Sequence, residues 1–495
     1  MKLRRVAVAN RGEIALRIMR TCREAGIEPL ALYSEADAGA PFVRYATAAI
    51  CVGPAPAAAS YLNVEAMTAG AAALHADAVH PGYGFLSESP LFARACDEAG
   101  MAFIGPSPEC MDLLTNKSAA RRTMAAAGVP VVPGYDGEDQ SDAALLDAAR
   151  LISFPVLIKA VSGGGGRGLR IAGSAAVFLD QLAEARREAV AARGDSRVLL
   201  ELYLDRPRHI EVQVFGDTHG GVLHLGEREC SLQRRHQKVI EESPSPALTA
   251  NQREEVCQTA VAVAKASAYC GAGTVEFLFE PATGRFYFLE VNARLQVEHP
   301  VTEMVTGLDL VRMQLEIAAG KPMRWKQSEV RWCGHAIEAR VCAEDPETHL
   351  PSAGEIAAWA PPVGPGVRCD TGVERGSIVP SWYDPLLAKV ICSGETRDLA
   401  AARLEQALLH FDVLGIATSI PDLLRILRHP TFVQGDLYTR LLEEELDTAS
   451  HDQAPPDEVL LALAAISASG ADVRGAPATS PKAPDPWREG AGWRN

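Results

Sequence analysis

Two segments, Thr274–Phe279 and Phe286–Arg294, flank the turn-forming run Pro281-Ala282-Thr283-Gly284. That pattern predicts a β-hairpin. Period two places Glu290, Asn292 and Arg294 on one face and Tyr287, Leu289 and Val291 on the other. A register centred near Thr283 sets Glu276 opposite Glu290. Two facing carboxylates repel unless a cation lies between them. With the Asn292 amide oxygen they make a hard oxygen site suited to Mg²⁺ and a polyphosphate. A plain antiparallel face with polar side chains in water is the alternative. Four such groups converging beside a phosphate-binding loop outweigh it.

That loop is Ser162-Gly163-Gly164-Gly165-Gly166-Arg167-Gly168, directly after the apolar strand pattern Pro155–Lys159. Glycines leave backbone N–H groups free to wrap anionic oxygens, since no Cβ blocks the approach. A Gly run is equally a flexible turn, but one that follows a strand ending in Lys159 suits a polyphosphate. The GxxxxGK[ST] signature is absent, which excludes a P-loop NTPase. Lys117 is a second candidate phosphate cation. In Arg294-Leu295-Gln296-Val297-Glu298-His299-Pro300, Arg294 offers a planar fork for a small oxyanion, and Glu298 could act as a general base. Glu338 and Arg340 alternate on one strand face, either as an anion-stabilising group or as a structural ion pair. His209, Glu211 and Gln213 alternate with Ile210, Val212 and Val214 and read as a half-buried amphipathic strand. The charged run Glu227–Lys238, hemmed by apolar strands, reads as an internal anion-binding loop.

The elements that must position these groups begin with an α/β unit. Val6–Ala9 is a strand, Asn10-Arg11-Gly12 a turn, and a helix follows with Ile14, Ala15, Ile18, Cys22 and Ala25 on one face. Gly26 stops it, and Pro29–Tyr33 is the next strand. Further strands at Ala78–His80 and Ala102–Ile104 imply a parallel sheet flanked by helices, without a GxGxxG dinucleotide fingerprint. Long alternating strands then dominate, and a mixed segment runs from about Trp332 to Leu446. After Asp447 the composition turns to Ala, Pro, Ser and Asp, which predicts a flexible tail with one short helix near Glu458–Ser467. A chain of 495 residues carries several packed units. Its net charge of -15 argues against nucleic-acid binding, so an anionic substrate must be held by a local basic cluster. The 11 cysteines show no CxxC pair and read as reduced, mostly buried thiols. No signal-like or membrane-spanning apolar run occurs, so the expected location is cytoplasmic.

The motifs also occur together and in order. Asn10-Arg11-Gly12-Glu13-Ile14-Ala15, HPGYGFLSE (His80–Glu88), the Gly loop, RRHQK (Arg234–Lys238) and NARLQVEHPVTE (Asn292–Glu303) resemble biotin carboxylase. This is the ATP-grasp ligase of acetyl-CoA carboxylase and of the α subunits of propionyl-, methylcrotonyl- and geranyl-CoA carboxylases. The HPGYGFLSE and RLQVEHP runs favour it over a carbamoyl-phosphate synthetase-like ligase, and the intact acidic and basic groups favour an enzyme over a non-catalytic ATP-binding subunit. The resemblance covers about residues 1–446. It implies a mixed α/β and α+β architecture: a Rossmann-like N-terminal domain (1–110), an ATP-grasp domain (111–330) and a biotin carboxylase C-terminal domain (331–446). Residues 447–495 are then a tail that begins a truncated docking region.

The resemblance implies that Lys117, Lys159, Glu201, His209, Gln233 and His236 hold ATP under a lid of Gly163, Gly164, Gly165 and Gly166. It assigns Mg²⁺ or Mn²⁺, two ions in all, to Glu276, Glu290 and Asn292. Bicarbonate falls to Arg294, Gln296, Lys238 and the Val297 backbone, with Glu298 as base. Arg340 would stabilise the biotin anion and Tyr83 would line the biotin pocket. Biotin would be a substrate on a carrier protein, not attached to this chain, and a carboxyltransferase subunit a further partner, in a homodimer or larger complex. Leu202, Ala293 and Ser419 depart from the family pattern at positions where Lys, Thr and Asn are common.

Overall fold

The computed structural model describes residues 2–160, 169–193, 195–235 and 237–446, without the side chains of 117, 118 and 191–193. The Gly163–Gly166 lid, His236, the Lys117 side chain and the tail with its expected short helix lie outside the described residues.

The N-terminal region is a five-stranded parallel sheet in the order Ala48–Gly53, Glu28–Ser34, Arg5–Val8, Ala78–His80, Ala102–Phe103. Val6, Ala7 and Val8 are buried because helices cover both faces, as a parallel sheet requires. The Gly12–Glu24 helix buries Ile14, Ala15, Ile18 and Cys22 as its periodicity predicts. Ala25 is exposed instead, since the helix ends one residue earlier and Gly26 turns the chain away at φ +70°. The strand order reverses beside Arg5–Val8, and at that switch point the Asn10 amide donates to the carbonyls of Pro81 and Tyr83, both at 2.7 Å. A Cβ at Gly82 would lie 2.9 Å from Asn10 Nδ2 on a φ of +64°, so only glycine lets these two loops meet.

A four-stranded antiparallel sheet follows, in the order Gly134–Tyr135, Val198–Leu202, Val156–Ala160, Leu169–Ala172. The third and largest sheet has eight antiparallel strands: Arg285–Asn292, Gly271–Glu280, Arg208–Gly216, Val222–Arg234, Gln237–Ser243, His335–Cys342, Leu386–Gly394 and Val367–Thr371. It runs without interruption through Glu241↔Glu338, joining strands from both sides of the expected division at residue 330. Two expectations change here. Arg208–Gly216 is buried along its whole length rather than half-exposed, because strands flank it on both sides and the Ala250–Ala266 helix packs on it. The charged run Glu227–Lys238 is no loop but a strand, the Arg235-centred turn and the next strand, with Glu227, Arg228 and Glu229 buried.

All eleven cysteines are free, six of them buried. Among the described residues, no helix is long and apolar enough to cross a membrane.

Candidate active site

The hairpin forms as the turn residues dictate. Gly284, at φ +69°, donates its N–H to the Glu280 carbonyl at 2.8 Å, and Glu276 pairs with Glu290. A bulge next to this pair then shifts the register to Phe277↔Phe288. The strand ends at Asn292, so Arg294 does not continue its polar face as strict alternation predicts. It lies in the following turn and reaches back, donating to Asn292 Oδ1 at 3.0 Å and to Gln296 Oε1 at 2.7 Å. Its Nε lies 3.3 Å from Glu88, whose other oxygen accepts the Ala293 N–H at 2.9 Å.

One rung of the large sheet carries Glu290, Glu276, Glu211 and Arg228 side by side on four strands. Such a row of carboxylates is stable only with cations set against it. Arg228, fully buried, bonds Glu211 and also Gln213, Thr302 and Thr274 at 2.8–3.0 Å. Lys238 supplies the second cation. Its ammonium meets Glu211, Glu276 at 2.9 Å and Glu298 at 2.7 Å. Burial works against that ammonium, but Glu211, Glu276 and Glu298 outweigh it and hold its pKa well above the ordinary value. Burial likewise pushes the Glu276 carboxyl up, and Lys238 and His209 overcome it, so Glu276 stays ionised.

Glu298 is fully buried at the start of the His299–Thr306 helix, where the positive end of the helix favours an anion. Lys238 donates to its Oε1, and Arg340 donates to its Oε2 at 3.0 Å. Burial alone raises this carboxyl; Lys238, then Arg340 and Arg228, reverse the effect and hold it well below the usual range. Arg340 also donates from Nε to Glu241 at 2.6 Å. The ion pair weighed for Arg340 is present, and its partners are Glu241 and Glu298. Glu338 is fully buried, and neither of its oxygens has a hydrogen-bond partner among the described residues. Burial pushes it well above the carboxylate range, with Lys389 opposing and Glu241 across the strand pair adding to it. Burial also lifts Glu241, against the pull of Arg340, to about 7.

His209 joins the same cluster. Its Nδ1 meets the Gln233 amide at 2.7 Å and its Nε2 lies 3.1 Å from Glu276. The structure therefore brings together Lys238, His209, Gln233, Glu276, Asn292, Arg294, Gln296, Glu298 and Arg340. Lys159 and Glu201 are paired with each other on the four-stranded sheet. Tyr83 sits at the switch point of the parallel sheet, its hydroxyl bonded to Glu13. Ser419, one of the departures from the family pattern, accepts the Cys342 N–H at 3.0 Å and donates to the Arg340 carbonyl at 3.3 Å, bracing the strand end that bears Arg340.

Four contributors escaped the sequence reading. Glu211 was legible only as part of an amphipathic strand, and Arg228 as part of a charge run. Glu241 gave no signal beyond its charge, and Glu88 was legible only as the last residue of the HPGYGFLSE run. Each acts through a partner more than ten residues away in the chain, which spacing along a strand does not reveal.

Glu276, Glu290 and the Asn292 amide are a donor set that fits a hard divalent cation. The Asn292 NH₂ donates to Glu276 Oε1 at 2.8 Å, while its oxygen accepts from Arg294 at 3.0 Å, so offering that oxygen to a cation beside Glu276 requires the amide to turn and Arg294 to release it.

Family models match residues 2–111 (biotin carboxylase, N-terminal domain), 116–326 (carbamoyl-phosphate synthase L chain, ATP binding domain) and 338–444 (biotin carboxylase C-terminal domain). The chain is 48% identical to a biotin carboxylase of Allochromatium vinosum over 90% of its own length and 99% of the relative's. It is 46% identical to the mitochondrial methylcrotonoyl-CoA carboxylase subunit alpha of Arabidopsis thaliana, spanning 64% of that longer protein. The fold superposes on a biotin carboxylase–nucleotide complex from Campylobacter jejuni with a TM-score of 0.85 and 43% identity, covering 90% of this chain and 99% of that one. It superposes with a TM-score of 0.84 and 42% identity, over 91% of this chain and all of the other, on the biotin carboxylase domain dimer of Hydrogenobacter thermophilus 2-oxoglutarate carboxylase, solved with MgADP, ADP and bicarbonate.

Proposed function

Since the chain belongs to the biotin carboxylase family, we propose that it carboxylates carrier-bound biotin at the expense of ATP and bicarbonate, the first half-reaction of an acyl-CoA carboxylase. The observation that carries this reading is Glu298, ionised and water-excluded between Lys238 and Arg340, one residue from Val297 and four from the Arg294 fork.

Bicarbonate is held by Arg294, Gln296, Lys238 and the Val297 N–H. The same cations that keep Glu298 ionised make bound bicarbonate more acidic, so a weak carboxylate base suffices to take its proton. The dianion oxygen attacks the γ-phosphorus of ATP; the new O–P bond forms as the bond to the ADP oxygen breaks, leaving carboxyphosphate. Cleavage of its C–O bond gives CO₂ and phosphate. Phosphate takes the ureido N–H proton of biotin, and the biotin nitrogen attacks CO₂. Arg340, facing the site from the neighbouring strand, stabilises the negative charge on the ureido oxygen, and Tyr83 lines the biotin side. Lys117, Lys159, Glu201, His209, Gln233 and His236 would hold the nucleotide, with Gly163–Gly166 as the lid that the family resemblance implies. Glu276, Glu290 and Asn292 would hold Mg²⁺ or Mn²⁺, which neutralises charge on the transferring phosphates.

The divisions 1–110, 111–330 and 331–446 describe the domains, with Lys238 and Glu298 from the second working against Arg340 from the third. A biotin carboxyl carrier, a carboxyltransferase subunit and a second copy of this chain are the partners, and the cytoplasm the location. The test measures phosphate release from ATP with bicarbonate, free biotin and divalent cation omitted in turn. Release should need bicarbonate and metal and should rise with biotin. Cleavage indifferent to both bicarbonate and biotin would overturn the assignment.

A further inference from the structure

Lys389 lies on the Leu386–Gly394 strand, next to the edge strand of the large sheet, and is completely buried. A lysine is rarely fully buried without partners, and these come from three distant parts of the chain. Its Nζ donates to the Val297 carbonyl at 2.8 Å and lies 3.1 Å from Glu13 Oε1. That same Glu13 oxygen accepts the Tyr83 hydroxyl, and the Tyr83 ring centre is 6.0 Å from the ammonium. The segments meet closely: a Cβ at Gly372, on the loop after the neighbouring Val367–Thr371 strand, would fall 2.4 Å from the Gly12 carbonyl carbon.

We propose that Lys389 is a positioning residue for this reaction, one that clamps the Val297–Glu298 peptide and, through Glu13, the Tyr83 phenol, so that the bicarbonate end and the biotin end of the site are set by one cation. The inference rests on the biotin carboxylase reading above. The Val297 carbonyl belongs to the peptide linking the bicarbonate-holding residue to the base. Holding that oxygen fixes the plane of the Val297–Glu298 peptide, and with it ψ of Val297 and the entry of Glu298 into its helix. A backbone carbonyl bonded to a buried ammonium cannot rotate without leaving the charge unpaired, which makes the peptide stiff. Glu13 keeps the ammonium neutralised and ties the first helix and the His80–Glu88 loop to the same point. A buried ion pair serving stability alone needs Glu13 and Lys389 but has no use for Val297.

Lys389→Met removes the clamp and leaves Glu13 buried and unpaired, so it can fail to fold. The double variant Glu13→Gln/Lys389→Met removes both charges at nearly constant shape, and Glu13→Gln alone keeps Lys389 on Val297. The assay is phosphate release with separate titrations of ATP, bicarbonate and biotin, alongside thermal melting. The double variant should melt close to wild type and keep the KM for ATP, yet show a KM for bicarbonate raised about tenfold, the worth of one charge-assisted hydrogen bond, and a blunted biotin response. Glu13→Gln should leave the KM for bicarbonate within about twofold, since the clamp on Val297 survives. A folded double variant with unchanged KM for bicarbonate, or a Glu13→Gln variant shifted as far as the double one, overturns the positioning role. Wild-type cleavage that ignores bicarbonate would instead overturn the assignment of function on which it rests.

Discussion

Replacing Glu298 by Gln removes the base while preserving shape, and its cost can be apportioned from its contacts. Lys238 keeps Glu211 and Glu276, and Arg340 keeps Glu241, so neither cation is left without a carboxylate. The loss to folding comes from the amide NH₂, which must face one of the two cations because Lys238 and Arg340 bond opposite oxygens. One broken charge-assisted bond of this kind costs about 1–3 kcal/mol of stability. The loss to turnover is larger. A positioned base contributes about 10²–10⁴ in rate, which is about 3–5 kcal/mol of barrier. Phosphate release should therefore fall by that factor while ATP, titrated separately, binds with nearly wild-type affinity. The pH profile adds a second reading. The Glu298 carboxyl is depressed in the folded protein, so its stabilising contribution is present above its ordinary value of 4.5 and is lost only as pH falls through the lower folded value. A folded Glu298→Gln protein that keeps more than about a tenth of wild-type turnover would refute the argument, since general-base removal is worth at least about a hundredfold.

Three further outcomes follow from the same geometry. Arg340→Ala should depress biotin carboxylation more than biotin-independent ATP cleavage, because Lys238 still holds the base Glu298 when Arg340 is gone, whereas the proposed charge on the biotin ureido oxygen loses its cation; equal small losses in the two assays would reduce Arg340 to a structural cation. Glu338→Gln should preserve turnover and hold stability within about 1 kcal/mol, since burial disfavours the charged form of this carboxyl and an amide keeps its shape; loss of activity comparable to Glu298→Gln would show that it works ionised. His80 is fully buried with Nε2 on Gln314 and the Gly82 N–H on Nδ1, a neutral tautomer, and burial lowers its pKa to about 3, with the Gln314 bond opposing. Below the unfolded value of 6.5 the unfolded chain binds the extra proton, so stability should fall as pH drops toward 3, by up to about 1.4 kcal/mol per pH unit, and urea melts of His80→Gln should lack that share.

Local pattern determined a good part of this protein. The Ile14–Cys22 stripe, the strands of the parallel sheet, the Pro281–Gly284 turn and the Glu276–Glu290 pairing all depend on neighbours within about twenty residues, and period and turn chemistry carry that information. Ordered motifs were enough to indicate the family. The sequence misplaced what depends on which surfaces meet. The His209-Glu211-Gln213 face has the alternation of a surface strand, yet it lies inside because strands from both sides and a helix enclose it. Arg340 was legible as a strand cation, but its partners were decided by pairing Gln237–Ser243 with His335–Cys342, two strands about a hundred residues apart in the chain. Lys389 carried no signal, because its role comes from Glu13, Tyr83 and Val297 converging across the sheet. The physical reason is range. Side-chain period is set by backbone geometry a few residues at a time, whereas the energy of a buried charge is set by whatever the tertiary structure places within about 4 Å of it.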